Sequence, residues 1–227
     1  MINLKKFTPA TMQGEPFAWA EIDHLYSAED AVALARSFPR DHFKTVSGYG
    51  GEKNYAYEAR ALIAMGGSSI ENVHELSDVW RRLAHDFLSS EYRQAMSCLT
   101  SMDLSGAPLE VNVFHYGPGA NLGPHLDLPD KVVTHVLYFN ENWNRLDGGC
   151  LTILHSADPA SIAAEIAPAV GNSAVLVRSD KSWHAVSPVI AACQSSRRSL
   201  TATFYRPAAQ SSMWPTGDNT ALHRVEY

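Results

Sequence analysis

A change in the spacing of apolar residues at Leu109 constrains the fold of this chain more than any other feature. From that point on, short runs rich in β-branched and aromatic residues are bounded by glycine, asparagine, aspartate and proline. The runs with this character are LEVNVFHY, VVTHVLYFN, GCLTIL, SAVLV, HAVSPVI and SLTATFY. Several short strands at such spacing predict a β-sandwich or a β-barrel.

The residues before Leu109 predict helices. The stretch SAEDAVALARSFP opens with Ser27 and Asp30 at the spacing of a capping box and stops before Pro39. A second helix is expected at about 69–88 and a shorter one at 90–99, because apolar residues there recur at steps of three and four. The sequence therefore predicts an α+β chain in which N-terminal helices pack on a mainly β core.

The length of 227 residues fits one domain. We expect it to consist of a helical N-terminal extension with substrate-side loops, a catalytic β core and a C-terminal tail, at 1–108, 109–207 and 208–227. Within the core, the stretch SADPASIAAEIAPAVGN (156–172) is expected to be an irregular or short helical insert.

The composition argues against several kinds of partner, site and location. A net charge of −6 gives no general electrostatic footprint for nucleic acid. No apolar run has the length of a signal peptide or a membrane span. The three cysteines, Cys98, Cys150 and Cys193, are far apart and form no CxxC pair, which argues against a disulfide scaffold or a structural zinc site. We expect a cytoplasmic protein with no nucleic-acid or membrane partner; the sequence leaves the oligomeric state open.

A histidine and an aspartate end the turn-rich stretch YGPGANLGPHLD. On extended backbone, His125 and Asp127 point to the same face and can converge on one ion, although such a pair also arises by chance. Downstream lie His184, in a strand-like run, and Arg198, at the head of an alternating strand. Two histidines and one carboxylate form the facial triad of non-haem iron(II) oxygenases, and an arginine facing the same cavity can hold a dianionic cosubstrate.

At this point the sequence resembles a known family. The stretches YGPGANLGPHLD, VVTHVLYFN, DGGCLTI, SDKSWHAVSPV and RSLTATFY are similar, in this order, to the motifs of prolyl-hydroxylase-like 2-oxoglutarate, iron(II)-dependent dioxygenases. The likeness covers roughly 109–207. It implies a double-stranded β-helix of the jelly-roll or cupin type. It also implies a hydroxylase that uses Fe(II), 2-oxoglutarate and O2, with ascorbate as a supporting reductant.

The resemblance assigns the metal centre to three residues. His125, Asp127 and His184 are the implied Fe(II) ligands and catalytic residues. Halogenating relatives replace the carboxylate by a small residue, so the presence of Asp127 favours hydroxylation or another oxidation.

The resemblance also assigns Arg198 to the C5 carboxylate of 2-oxoglutarate. In the family an arginine opens a run that ends in an aromatic pair, and Phe204 and Tyr205 match that pair when the count starts from Arg198. Strand alternation is then expected to turn Arg197 the other way.

Two tyrosines are further implied at the cosubstrate. Tyr138 matches a position whose hydroxyl helps to hold the same carboxylate, so Val136 should share its inward face and His135 should point away as a packed or surface residue. Tyr116 opens the family's Y-x-x-G loop; it is either a cosubstrate contact or a core aromatic at a strand end.

The substrate is less constrained. Leu122 stands where many prolyl hydroxylases carry an aromatic residue, which weakens the case for a prolyl substrate. The Gly- and Tyr-rich stretch 47–60 is expected to shape the substrate pocket, and the tail 211–227, which contains Trp214, is expected to fold over the barrel mouth. Candidate anchors for an acidic substrate, each more simply read as a solvated charge, are Arg60, Arg145, Arg178 and Lys181.

These observations leave several functions open. The favoured one is hydroxylation of a small molecule such as an amino acid or a biosynthetic intermediate. The alternative is a prolyl hydroxylase acting on a protein or peptide. A barrel that only binds ligands is disfavoured because the metal and cosubstrate positions hold competent residues. A cupin-like zinc hydrolase is disfavoured because its chemistry would not need Arg198.

Overall fold

The chain forms one antiparallel sheet that curls into a barrel, seen in a computed structural model that describes residues 1–48 and 55–226. Eleven strands are found within these residues. In chain order they are β1 (Trp19–Ile22), β2 (Lys44–Gly48), β3 (Tyr55–Ile63), β4 (Leu109–Tyr116), β5 (Asn121–His125), β6 (Lys131–Tyr138), β7 (Leu151–Leu154), β8 (Ile162–Ile166), β9 (Ser173–Val177), β10 (His184–Val186) and β11 (Arg197–Tyr205). They pair in the order β1-β9-β6-β11-β4-β3-β5-β10-β7-β8, and β2 joins the edge of β3. The predicted fold class, a double-stranded β-helix with helices packed on it, is confirmed.

Three helices precede the barrel core, namely α1 (Ala28–Arg36), α2 (Asp78–Leu88) and α3 (Ser90–Thr100). The Ser27 side chain accepts a hydrogen bond from the backbone N–H of Asp30, as the capping pattern predicts. The helix predicted from 69 begins only at Asp78, because Asn72 adopts a left-handed backbone conformation with φ +48° and a short 3₁₀ turn follows it. The sequence pattern thus found all three helices and misjudged one boundary.

The N-terminal half also contributes three strands that the sequence pattern did not predict. Strand β3 pairs with both β4 and β5 and so links the two sides of the barrel. The 156–172 insert contains strand β8, which pairs with β7, where an irregular or helical insert was expected. Alanine-rich segments such as IAAEI have little strand propensity of their own; pairing with a neighbouring strand decides their conformation.

The main hydrophobic core lies between the helices and the face of the sheet that is turned toward them. The side chains of Trp80 and Phe139 pack with ring centroids 4.7 Å apart, and both are fully buried. Leu200 and Phe204 of β11 belong to the same cluster. Burial of this much apolar surface, at about 25 cal/mol per Å², is the main stabilising contribution.

Within the described residues, no helix is both long and apolar enough to cross a bilayer.

Alternation along β11 separates the core from the barrel interior. Leu200 and Ala202 face the helices, whereas Ser199 and Thr201 line the interior. Because side chains of one strand alternate between faces, the polar members of this strand mark the interior face. The functional site is therefore on the face of the sheet that is turned away from the helices.

Candidate active site

Two histidines face each other across a pair of neighbouring strands in the site. His125 ends β5, and His184 begins β10 directly opposite to it in the antiparallel register. The centroids of their rings are 4.3 Å apart. Asp127 follows two residues after His125, and one ligand atom from each of the three residues lies within 4.8 Å of the others. The structure thus brings the three predicted metal ligands together in a buried position.

The protonation of both imidazoles suits metal binding. Nδ1 of His125 lies 2.9 Å from the carbonyl oxygen of Gly123, and Nδ1 of His184 lies 2.9 Å from that of Ser182. A carbonyl oxygen only accepts hydrogen bonds, so Nδ1 of each ring must be the donor. In the neutral imidazole Nε2 then carries the lone pair, which is the arrangement that metal-ligating histidines adopt.

The carboxylate of Asp127 is held by two side chains. Lys131 Nζ donates to Oδ1 at 2.6 Å, and Thr134 Oγ1 donates to Oδ2 at 3.0 Å. Burial alone would raise the pKa of Asp127, but the Lys131 ammonium, joined by His184 and His125 whenever their rings are protonated, outweighs burial and holds that pKa well below its usual range. The residue is therefore an ionised, oriented oxygen ligand. Two neutral imidazoles and one carboxylate suit Fe(II) and leave coordination positions open.

The arginine that faces the interior is Arg197, and the predicted orientation of Arg198 is wrong. Arg198 lies on the helix side of β11, where its Nη1 donates to the carbonyl oxygen of Ala35 at 3.2 Å. Arg197 lines the cavity that also contains the metal triad. The reason is the phase of β11: Arg197 is in step with Ser199 and Thr201, the polar, inward members of the strand. This polar phase was visible in the sequence and would have identified Arg197.

Arg197 is a buried cation, with a relative exposure of 2%. Its Nε donates to the carbonyl oxygen of Gly149 at 2.7 Å and its Nη1 donates to Ser199 Oγ at 2.7 Å, so Nη2 takes part in neither bond. Within the described part of the chain, no carboxylate lies within salt-bridge distance of its guanidinium. A buried charge of this kind requires an anionic partner, and a cosubstrate carboxylate supplies one.

The two predicted tyrosines flank this guanidinium. It lies 4.8 Å from the ring centroid of Tyr116 and 5.3 Å from that of Tyr138. The hydroxyl of Tyr138 is buried beside the Arg197 guanidinium, and among the described residues no acceptor takes its proton, so it can donate to a bound carboxylate. Burial raises the pKa of Tyr116 to about 12, against the opposing effect of Arg197, and both phenols stay protonated donors.

The remaining orientation predictions for β6 are confirmed. Val136 lines the inner cavity together with the site residues. His135 points away from it, into the helical layer, where its Nδ1 lies 3.0 Å from the Tyr92 hydroxyl.

The site has an inner cavity and a mouth. The inner cavity, of about 120 Å³, extends from the triad to Arg197 and has apolar walls that include Leu151, Leu176 and Val186. The mouth has a volume of about 660 Å³, and Leu122, His125, Asp127 and Lys131 line both spaces. Leu122, where the resemblance led us to look for an aromatic residue, is therefore at the junction between the inner cavity and the mouth.

The C-terminal tail forms one side of the mouth, as the sequence led us to expect. Met213 reaches the inner cavity. Two residues hold the tail in place. Trp214 Nε1 donates to Asn112 Oδ1 at 2.7 Å. The Lys44 ammonium binds the carboxylate of Asp218 and lies 4.1 Å from the ring centroid of Trp214. We call residues 211–218 the tail strap.

The basic residues proposed as substrate anchors lie elsewhere. Arg60 is buried and donates to the carbonyl oxygens of Asp41 and Ala61. Arg145 pairs with Glu165 at the surface, and Lys181 is exposed; neither is among the residues that line the mouth. Lys131, which does line it, was missed because its position after a turn gives no pattern in the sequence.

Arg178 approaches the site from its outer side: its Nε lies 3.4 Å from the backbone oxygen of Asp127, while its Nη1 pairs with Asp180. The predicted substrate loop at 47–60 is described only in part. Tyr55 and Tyr57 line the mouth, and 49–54 lie outside the described residues.

Comparison with known proteins agrees with this geometry. Residues 111–206 match the family model of the 2OG-Fe(II) oxygenase superfamily. Among curated proteins, none matches the chain.

Solved structures with the same fold are numerous and distant in sequence. A prolyl-4-hydroxylase from Pseudomonas putida is 22% identical, with a TM-score of 0.56 over 83% of this chain and 92% of that protein. A prolyl hydroxylase from Trichoplax adhaerens, solved with a hypoxia inducible factor peptide fragment, is 19% identical, with a TM-score of 0.54 over 82% and 83%. SnoN, a non-heme alpha ketoglutarate dependent epimerase from nogalamycin biosynthesis, is 13% identical, with a TM-score of 0.51 over 83% and 81%. At these identities the likeness establishes the fold.

Proposed function

We propose that this chain, whose residues 111–206 match the family model of the 2OG-Fe(II) oxygenase superfamily, hydroxylates an unactivated C–H bond of a small molecule. The chain is an enzyme of the Fe(II)- and 2-oxoglutarate-dependent class. The observation that carries the proposal is the His125–Asp127–His184 triad, which shares one cavity with the buried cation of Arg197.

The residues at one end of the inner cavity form the metal centre. His125, Asp127 and His184 hold the iron, and Lys131 and Thr134 fix the orientation of the carboxylate. Iron together with the 2-oxo acid supplies the oxidising power toward dioxygen and a C–H bond.

The other end of the inner cavity receives the cosubstrate. Arg197 and the hydroxyl of Tyr138 bind its distal carboxylate, and Tyr116 packs against the guanidinium. The apolar walls keep water away from the reacting centre, which strengthens these electrostatic interactions. Halogenating relatives replace the carboxylate of the triad by a small residue, so Asp127 supports hydroxylation or another oxidation over halogenation.

The shape of the mouth supports a small substrate. Its volume of about 660 Å³ lies in the usual range for sites of small ligands. The tail strap borders it, and Met213 extends from the strap into the inner cavity. A polypeptide would need an open groove in which the chain can enter and leave, and the strap narrows such a path.

A prolyl substrate in a protein or peptide is the second candidate. It is supported by the fold shared with prolyl hydroxylases, one of which was solved with a peptide fragment. Leu122 at the junction of the two cavities weighs against it, as does the tail strap.

A binding module without activity is disfavoured by the complete triad, and a zinc hydrolase gives no role to the buried charge of Arg197.

We further propose a cytoplasmic location, supported by three cysteines that all remain free thiols in the fold.

Anaerobic addition of Fe(II), ascorbate and 2-oxoglutarate tests the chemistry. We expect the weak visible charge-transfer band of the iron–2-oxo-acid chelate in the wild type and in His74→Ala, whose histidine is exposed in the short 3₁₀ turn before α2, and its loss in His184→Ala. No band in the wild type, or a band that survives His184→Ala, would contradict the iron assignment.

A succinate-release screen then separates the substrates. Free amino acids and small biosynthetic acids are compared with proline-containing peptides. Turnover with peptides alone would replace the small-molecule proposal by the prolyl one.

A further inference from the structure

We propose that Lys131 is an anion subsite and that the substrate of this enzyme carries a carboxylate, which Lys131 binds beside the metal centre. This inference rests on the proposed function and names the chemical class of its substrate.

The position of Lys131 fits this role. It is the first residue of β6 and lines both the inner cavity and the mouth, so it stands where substrate must approach the metal triad. Its ammonium donates one hydrogen bond to Asp127 Oδ1 at 2.6 Å. An ammonium has three donors, and the side chain is 23% exposed, so donors remain that can point into the mouth.

Charge balance points the same way. The charged side chains that line the two cavities, among the described residues, are Lys44, Lys131, Arg197, Asp127 and Asp218. They leave one positive charge in excess. The formal charges of a ferrous ion and of a dianionic 2-oxo acid cancel each other, so loading the site leaves that excess unchanged. A substrate with a single negative charge would neutralise the site.

The excess charge is located at Lys131. Lys44 is neutralised by Asp218, to which its ammonium binds directly. Arg197 lies at the far end of the inner cavity, where the cosubstrate carboxylate is its counter-ion. Asp127 is shared between Lys131 and the metal, and once it ligates a dication it neutralises Lys131 less completely. Lys131 is therefore the cation that faces the substrate.

Matched ligands test the inference on the loaded wild type. Protein is saturated with Fe(II) and 2-oxoglutarate under argon, and loading is verified by the charge-transfer band. Binding of each of the twenty common amino acids, and of its carboxamide, is then measured by calorimetry and by the shift in thermal unfolding. We expect at least one carboxylate to bind about tenfold to a hundredfold more tightly than its carboxamide.

Three variants locate the effect. Lys131→Met should abolish the preference for the carboxylate at saturating Fe(II), and Lys131→Arg should retain most of it because the charge is kept. Lys181→Met, which removes an exposed lysine away from the mouth, should behave as the wild type.

The outcomes are separable. A wild type without the band overturns the proposed function. A wild type that shows the band and binds no carboxylate of the panel, or binds carboxamides equally well, overturns the subsite alone. A carboxylate preference that persists in Lys131→Met also overturns it, because Lys131 would then only orient Asp127.

Discussion

The guanidinium of Arg197 lies inside the barrel, 4.8 Å from the ring centroid of Tyr116, while its neighbour Arg198 lies on the opposite face of the same strand and donates to the Ala35 carbonyl. The two arginines are adjacent in sequence and chemically identical, so each is the natural control for the other. Substituting each in turn distinguishes the effect of losing a contact with the cosubstrate from the effect of losing a contact with the helical layer.

Arg197→Met should weaken 2-oxoglutarate binding by about a hundredfold, because the variant removes the one buried cation at the far end of the inner cavity. Arg198→Met should change this affinity by less than about twofold. Titration of the charge-transfer band with 2-oxoglutarate measures both. If Arg198→Met produced the larger loss, the orientation of β11 described here would be untenable.

Tyr138→Phe is the companion change in the same pocket. It removes a single neutral donor, so we expect a loss of about threefold to tenfold in 2-oxoglutarate affinity. The same titration measures this loss.

His135 should make the protein sensitive to acid. Burial lowers the pKa of His135 to about 3, whereas in the unfolded chain it titrates near 6.5. Below pH 6.5 the unfolded state therefore binds a proton that the native state excludes, and the free energy of unfolding falls by about 1.4 kcal/mol per pH unit for this residue. Between pH 6 and pH 4.5, the free energy of unfolding of His135→Gln should therefore fall less steeply than that of the wild type, by up to about 1.4 kcal/mol per pH unit. Urea unfolding measures this difference.

Tyr92→Phe provides the control for this pH effect. It removes the hydrogen bond to His135 Nδ1 without removing the titrating group. Stability should drop by about 1 kcal/mol at every pH with the slope unchanged. An equal slope in wild type and His135→Gln would show that other groups, such as His115, whose pKa burial and the Arg198 charge lower to about 4, dominate the acid response.

Lys44→Met should release the tail strap. The Lys44 ammonium binds the Asp218 carboxylate and the Met213 carbonyl oxygen, and its side chain is only 8% exposed. We expect amide exchange and proteolysis of 211–218 to accelerate by about tenfold or more, and KM for the substrate to rise while 2-oxoglutarate affinity is kept.

Arg224→Met is the matched change farther along the tail, where the ion pair with Asp41 is exposed. Exposed pairs contribute little, so exchange of the strap should remain as in the wild type. Equal acceleration in both variants would mean that Lys44 has no special part in holding the strap.

Gly148→Ala should destabilise the fold by about 3 kcal/mol or more. Gly148 has φ +71° and ψ −146°, a region closed to other residues, and an added Cβ would lie 1.9 Å from the Pro188 carbonyl oxygen. Gly106→Ala, where nothing lies within 4 Å, should change stability by less than about 0.5 kcal/mol. Thermal unfolding compares the two, and a near-neutral Gly148→Ala would contradict the described backbone.

The sequence was sufficient for features that depend on local pattern. Strand alternation placed Val136 inward and His135 outward, and the spacing of His125 and Asp127 placed both side chains at one ion. The first two of these features depend on residues close together in the chain, for which periodicity is a direct signal. The double-stranded β-helix, in contrast, was implied by the resemblance of the ordered motifs to a known family.

The features that were missed depend on contacts between distant segments. The pairing of β3 with β4 and β5 is set by tertiary packing and leaves no local signature. The phase of β11 was misassigned because the aromatic pair was counted from Arg198, although the polar face of Ser199 and Thr201 indicated Arg197. Lys131 follows a turn, and only the assembled barrel reveals that it borders the metal triad.

The separation of the helical layer from the site has a practical consequence. Cys98 lies on α3, in the layer that covers the outer face of the sheet, and it is exposed, whereas Cys150 and Cys193 are buried. Thiol-directed coupling should therefore reach one position, on the side of the molecule away from the mouth. A fluorophore or a solid support attached there would report on the enzyme, or immobilise it, with the substrate entrance left unobstructed.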